Sequence, residues 1–405
     1  MATTRTQTVL LTWEMGGGQG HLVRLGAIGR RLAEQGHRLV VACRDVPAAR
    51  ARFEDWPCHP IPSLEPSPPP YPHAASLAEV LHNIGFDCRD KLNKLCAGWD
   101  RLAEEVRPDA VVMDFSPTAL LAFQGHPARR VLIDNGYSHP TLTCPMPSLR
   151  PWQARYEDMQ QRIEDRLLRE VNACLADRGQ APLGFLAELF GRADDIHLMT
   201  VAELDHSGPK DHVHYRGYLT LGGNPPEWPA RRGRARVLVV LKPFAGIDRL
   251  LAGLLARNLD ILAVIPGLDD ASQSALRRLP GLALIDGWLD LRQAARQADG
   301  VLCAGGDSVG IVLLQGTPAC VLAYFPEQRL TGLRAEATGA ALLVPQHASQ
   351  EQILDRVEQV VDDDGLRRQA GRFAAAYRNL DPEQELQAIA QSITGAMNPA
   401  PVSRR

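Results

Sequence analysis

Short apolar runs alternate with helical patterns, and they do so twice along the chain; this constrains the fold more than any other feature. Val9 to Trp13 is an apolar run of strand length. A glycine-rich turn follows it. Leu22 to Gln35 then carries apolar residues at helical spacing, and Gly36 closes the helix. Arg38 to Ala42 reads as the next strand. Asp100 to Val106 is helical, Pro108 breaks it, and Ala110 to Met113 and Arg130 to Ile133 are strands. Trp152 to Phe190 is largely helical, and Ile196 to Thr200 reads as the last strand of this half. Parallel strands joined by crossover helices produce such alternation.

The same grammar restarts after a break. The stretch 206–236 is rich in Gly, Pro and Arg and lacks periodicity, so it reads as a linker. Val237 to Leu241, Ile261 to Ile265, Ala283 to Ile285, Gly300 to Cys303 and Ala319 to Ala323 are strand candidates with helices between them. A chain of 405 residues suits two domains. The expected division is an N-terminal domain over 1–205, the linker 206–236, a C-terminal domain over 237–380, and a helix and tail over 381–405 that cross back to the first domain. The expected class is α/β: two Rossmann-like, doubly wound domains facing a central cleft, with ligands at the carboxyl ends of the strands.

Bulk properties exclude several functions. Net charge is −3 and charged residues make up 22 %, so nothing global favours a nucleic-acid partner. The eight cysteines are scattered without C-x-x-C spacing, which signals neither zinc nor a redox dithiol and suits a reduced, cytoplasmic protein. The first apolar run is too short for a signal peptide, and no run reaches membrane-spanning length. Peripheral attachment to a membrane stays open, and no pattern fixes an oligomeric state. Prolines cluster from Pro57 to Pro72, which predicts a rigid, extended surface loop.

Two motifs carry chemistry in the first half. Gly16-Gly17-Gly18-Gln19-Gly20-His21 joins the first strand to the first helix. Glycines at 17, 18 and 20 let backbone approach an acceptor or phosphate closely, and the helix N-terminus favours negative charge. A dinucleotide fingerprint would need glycine where His21 stands. A histidine there suits a general base, or it caps and packs in the turn. Val111-Val112-Met113-Asp114 places an acid at the end of a buried strand. Asp114 could orient that histidine, or cap the helix starting at Ser116-Pro117.

Taken together, Gly20-His21, the helix end Glu34-Gln35-Gly36-His37 and Asp114 resemble the acceptor domain of UDP-sugar-dependent glycosyltransferases, including the natural-product and glucuronosyltransferases. The glycine-rich turn is also similar to that of the bacterial GlcNAc transferase of peptidoglycan lipid synthesis. In the second half the ordered elements Gly287-Trp288-Leu289-Asp290, Ala298 to Ser308, Gly316-Thr317-Pro318, Tyr324-Phe325-Pro326-Glu327-Gln328 and Glu336 to Ala340 are similar to the family's donor signature. The resemblance covers nearly the whole chain. It implies the GT-B fold and an inverting, metal-independent transfer of a sugar from a nucleotide-diphosphate sugar, a UDP-sugar by the family's habit, to a hydroxyl of a small or lipid-like acceptor. No cofactor is implied, since the nucleotide-sugar is a co-substrate.

Residue by residue, the resemblance makes His21 the base and Asp114 its partner. Trp288 would stack on the nucleobase, and Gly305, Gly306, Asp307 and Ser308 would meet the phosphates. Glu327 and Gln328 would hold sugar hydroxyls. The acceptor would lie among loops holding Trp13, Pro68 to Tyr71, Leu81 to Phe86 and Asn135 to His139. The chain departs from the pattern at Cys303, where the family has a phosphate-contacting histidine. It departs again at Ile311 in place of a ribose-binding glutamate, at Thr331 in place of an asparagine, and at Leu241-Lys242-Pro243 in place of a Gly/Ser-rich turn. Lys242 could restore a lost cation. Two other functions fit the same outline: a nucleotide-sugar epimerase, and a nucleotide-sugar or glycan-binding protein on a decayed transferase scaffold.

Overall fold

The computed structural model describes residues 5–15, 20–153, 157–219, 222–232 and 234–395. The first elements are β1 (Thr8–Trp13), α1 (Gly20–Glu34), β2 (Arg38–Cys43), α2 (Val46–Arg52), β3 (Cys58–Pro60), α3 (Leu77–Leu81), α4 (Arg89–Val106), β4 (Ala110–Asp114), α5 (Pro117–Ala122), β5 (Arg129–Asp134), α6 (Glu157–Asp177), β6 (Asp195–Leu198) and β7 (His214–Tyr215). The rest are β8 (Ala235–Val240), α7 (Ile247–Ala256), β9 (Leu259–Val264), α8 (Asp270–Leu276), β10 (Leu282–Leu284), α9 (Leu291–Arg296), β11 (Gly300–Cys303), α10 (Asp307–Leu313), β12 (Ala319–Val321), α11 (Pro326–Ala337), β13 (Ala341–Leu343), α12 (Gln350–Asp362), α13 (Asp364–Ala376) and α14 (Pro382–Thr394). They form two compact units: Met1–Met199 with Ser207–Leu219 and Asp381–Arg405, and Thr200–His206 with Thr220–Leu380.

Unit 1 holds a seven-stranded sheet ordered β3-β2-β1-β4-β5-β6-β7, parallel throughout. Both faces are covered, which explains the near-continuous apolar runs. Leu10, Val40, Val111 and Met113 pack with Phe86, Trp99 and Phe123 on one face. Val9, Leu11, Val41, Val112 and Ile133 pack with Leu22, Leu25 and Ile28 of α1 on the other. Strand order reverses between β1 and β4, where Trp13 lies opposite Asp114. The carboxyl ends at such a switch point open a crevice for ligands.

The C-terminal helix α14 belongs to unit 1. Its buried face, Ile389, Ala390 and Ile393, joins the α1 layer. A polar latch fixes it. Arg216 Nε donates to Nδ1 of His197 at 3.1 Å, so His197 carries its proton on Nε2, which donates to Ser392 Oγ at 3.0 Å. Ser392 in turn donates to Asp195, and Arg216 pairs with Glu385. Burial, followed by the nearby Arg216 and His214, holds the His197 pKa down to about 3 and the ring neutral.

Unit 2 holds a six-stranded sheet ordered β10-β9-β8-β11-β12-β13, again parallel. Val237, Val239, Ile261 and Leu302 form its core with Leu250, Leu254, Leu354 and Val357. Its switch point lies between β8 and β11, with Val240 opposite Cys303.

Three strands escape the sequence pattern: β3, β7 and β13, of three, two and three residues. They are too short to show alternation. All three lie at sheet edges, β3 and β7 in unit 1 and β13 in unit 2, and Pro60 is tolerated in β3 because an edge strand can spare an N–H. His214–Tyr215 pairs with His197–Leu198 and belongs to unit 1, because the backbone of this Gly/Pro-rich stretch finds its partners on the open edge of β6. All eight cysteines are free thiols, and no described helix is long and apolar enough to cross a membrane.

Candidate active site

In unit 1 the structure brings His21 and Asp114 together. His21 lies in the first turn of α1, and Asp114 ends β4. Nδ1 of His21 is 2.8 Å from Oδ1 of Asp114. Trp13 stacks on the imidazole, with ring centroids 5.1 Å apart and planes 16° apart. Asp114 is wholly buried, whereas the His21 side chain keeps 15 % of its surface exposed. One ring nitrogen is thus held by the carboxylate while Trp13 fixes the ring plane. Such an arrangement can serve as a base and its orienting acid.

Arg24, one helical turn on, completes the cluster. Its Nε donates to Oδ2 of Asp114 at 3.1 Å and its Nη2 to Oδ1 at 3.1 Å, a two-toothed grip. Nη2 also lies 3.0 Å from Nδ1 of His21. Burial pushes the Asp114 carboxyl upward, but the Arg24 guanidinium and His21 overcome it and hold the pKa down to about 2. Arg24 was not foreseen. The signal was a charged residue on the apolar face of α1, between Leu22 and Leu25.

Capping of α5 falls to Glu14, not Asp114. Glu14 accepts from Ala119 N at 2.7 Å, Thr118 N at 3.2 Å and Thr118 Oγ1 at 2.7 Å. Its burial pushes the pKa up to about 7 against these donors. An acid directly after a buried strand was the missed signal here. Between Asp114 and α5 sits Phe115, a non-glycine at φ 44°, which is strained backbone next to the His21–Asp114 pair. A small crevice beside it is lined by Met113, Phe115, Pro117, Leu132, Ser138 and Phe190. Of the glycines proposed for the loop, Gly20 begins α1, while Gly17 and Gly18 lie outside the described residues.

In unit 2 the expected donor residues gather at the carboxyl edge of the sheet. Lys242 follows β8, Gly305 to Ser308 follow β11, and Glu327 and Gln328 open α11. Gly305 has φ 99° and Gly306 φ 62°. A Cβ on Gly305 would come within 2.8 Å of the Gln328 carbonyl oxygen. Gly305→Ala should therefore cost roughly 1–3 kcal/mol; urea denaturation checks this, and an unchanged midpoint would contradict the close approach. Trp288 is 61 % exposed, an unusual state for tryptophan. Its backbone is held on both sides by Asn224, whose N–H donates to the Trp288 carbonyl at 2.8 Å and whose carbonyl accepts from Asp290 N at 2.8 Å. Gly223 permits this, since a Cβ there would meet Leu289 backbone at 2.4 Å.

Two of these residues also serve their own turns. The Ser308 hydroxyl donates to the Gly305 carbonyl at 2.8 Å, so its proton closes the turn instead of pointing to a ligand. Oε1 of Gln328 accepts the N–H groups of Tyr324 and Phe325, making Gln328 part of a capping box whose amide oxygen is committed. The departures from the family pattern are also explained. Cys303 is fully buried with its thiol pushed up to about 11 by burial, so it packs and stays neutral. Thr331 is buried and donates to the Glu327 carbonyl. The exposed Lys242 ammonium lies 5.6 Å from the Phe325 ring centre.

No family model and no curated protein matches the sequence. Solved structures do match. The calicheamicin glycosyltransferase CalG4 superposes with a TM-score of 0.70 at 15 % identity, over 98 % of this chain and 100 % of that one. The spinosyn rhamnosyltransferase SpnG in complex with spinosyn aglycone gives 0.63 at 17 %, over 97 % and 100 %. The glycosyltransferase SsfS6 of Streptomyces sp. SF2575, complexed with thymidine diphosphate, gives 0.59 at 17 %, over 95 % and 99 %. The chain therefore has the GT-B fold, with two parallel α/β sheets.

Proposed function

We propose that this chain is an inverting glycosyltransferase that moves a sugar from a nucleoside-diphosphate sugar to a hydroxyl of a small, natural-product-like acceptor. One observation carries the reading: His21, stacked on Trp13 and mostly buried, lies 2.8 Å from the buried Asp114 at the switch point of unit 1. Similarity to transferases of calicheamicin and spinosyn chemistry supports the acceptor class.

In this reading His21 accepts the proton of the acceptor hydroxyl as its oxygen attacks the anomeric carbon. The bond to the diphosphate breaks on the opposite face, and the configuration inverts. Asp114 holds Nδ1 and orients the ring. In unit 2, Trp288 offers its exposed face to the base, and Glu327 offers a carboxylate to sugar hydroxyls. The N–H groups of Gly306 and Asp307 meet the diphosphate as its charge develops, and preorganised donors of this kind act mainly on the transition state. Lys242 supplies the cation that Cys303 cannot. The chemistry runs on these side chains and needs no metal. The donor's base is uracil or thymine; a related fold carries thymidine diphosphate.

A thermal-shift titration tests this. Thymidine or uridine diphosphate should raise the melting temperature, with about 2.7 kcal/mol of stabilisation at a hundredfold excess over Kd. Trp288→Ala should weaken that shift. Product analysis with the matching sugar donor should then show acceptor glycoside, and not an epimerised donor. A folded protein that answers to no diphosphate sinks the transferase reading and favours a binding protein on a decayed scaffold, which the buried Cys303 and the apolar Ile311 would suit.

A further inference from the structure

The charge around His21 is balanced in a way that a simple acid–base pair is not. Its Nδ1 faces Oδ1 of Asp114 at 2.8 Å and Nη2 of Arg24 at 3.0 Å. Positive charge arriving on the ring is attracted by the first and repelled by the second from almost the same distance, so the two largely cancel. Arg24 also grips both oxygens of Asp114. With a neutral ring this trio carries no net charge; after proton transfer it carries one positive charge in a largely buried place.

Other titratable groups also face the trio. Asp134, at the end of β5, interacts with both Asp114 and Arg24, but it accepts from Gly136 N, Ser138 N and Ser138 Oγ. Its burial favours the neutral form. Glu14 is turned to the start of α5. Trp13, stacked on the imidazole, is uncharged.

We propose that Arg24 is a positioning residue that fixes the Asp114 carboxylate and cancels its pull on the His21 proton, fitting the site to acceptors with an acidic hydroxyl, a phenol or enol, over aliphatic alcohols. This rests on the reading of His21 as base. A base with a spent counter-ion gains most from a hydroxyl that releases its proton readily, and a phenol, with a pKa near 10, is such a group.

The test compares 2-naphthol with 2-naphthalenemethanol as acceptors, with thymidine- and uridine-diphosphate glucose as donors. The wild type should favour the naphthol by at least about tenfold in kcat/KM. In Arg24→Met the acid limb of the kcat/KM profile should move up by about one pH unit, a tenfold change in proton affinity, and the acceptor preference should narrow. Arg24→Lys keeps the charge and should keep the limb. An unmoved limb in Arg24→Met, or equal rates on both acceptors in the wild type, overturns the proposal. Arg24→Gln serves if the methionine variant does not fold. Unimpaired transfer by His21→Gln, or no transfer by the wild type, instead overturns the reading of His21 as base. The titration of the His21 imidazole by NMR, wild type against Arg24→Met, then judges the charge balance alone: an upward move supports it and no move refutes it.

Discussion

His21→Ala should lower kcat for sugar transfer by about 10²–10⁴-fold and leave the affinity for nucleoside diphosphate as it was. The split follows from where the groups lie. The imidazole is in the first turn of α1 in unit 1, while Trp288, Gly305 to Ser308 and Glu327 all belong to unit 2. On the proposed reading, removing the ring deletes the proton acceptor and the stack on Trp13, but none of the proposed donor-binding groups. A loss confined to chemistry marks an interaction made in the transition state, whereas a rise in KM alone would mark plain binding. The measurement is steady-state kinetics beside the thermal shift with the preferred diphosphate. Full activity in the variant removes His21 from the mechanism. A lost thermal shift would mean that the substitution acts by unfolding the site. Arg24 sharpens the expectation, because its guanidinium would remain gripped on Asp114 in the variant and keep that carboxylate in place.

Much of this was legible in the sequence because buried parallel strands leave a strong imprint. Val9 to Trp13 and Val237 to Leu241 are apolar at nearly every position because both faces of each sheet are covered. Asp114 stood out as an acid ending such a run, and His21 as the histidine closing the glycine-rich turn that follows one. What stayed hidden depends on contacts between distant segments. Nothing local to Arg24 says that it will meet an acid 90 positions away. Gln328 and Ser308 suit a sugar and a phosphate by residue type, yet each closes its own turn. The edge strand β7 exists only because the free side of β6 is there to pair with it. Motif order identifies which residues gather at an edge; it does not say which of their hydrogen bonds the fold has already used.

Asp114→Ala should destabilise the protein by about 3–5 kcal/mol, through loss of the carboxylate that Arg24 grips in the interior of unit 1. Asp114 is wholly buried and the Arg24 side chain is 7 % exposed, so water cannot simply replace the lost partner. Asp114→Asn keeps one acceptor oxygen and should cost less. Replacing both charges, as in Asp114→Leu with Arg24→Met, should recover part of the loss, because an apolar pair leaves no ion stranded. The pH dependence gives a separate check. The folded-state pKa of Asp114 lies near 2, below its ordinary 3.8. A depressed carboxyl contributes stability that is fully present above its unfolded pKa and is lost as pH falls through the folded one. The gap in unfolding free energy between wild type and Asp114→Ala should therefore be flat above about pH 4. It should shrink between there and pH 2. Urea denaturation across that range measures it. A gap that stays constant down to pH 2, or one below about 1 kcal/mol at neutral pH, would show that the ion pair is not what holds β4 against α1.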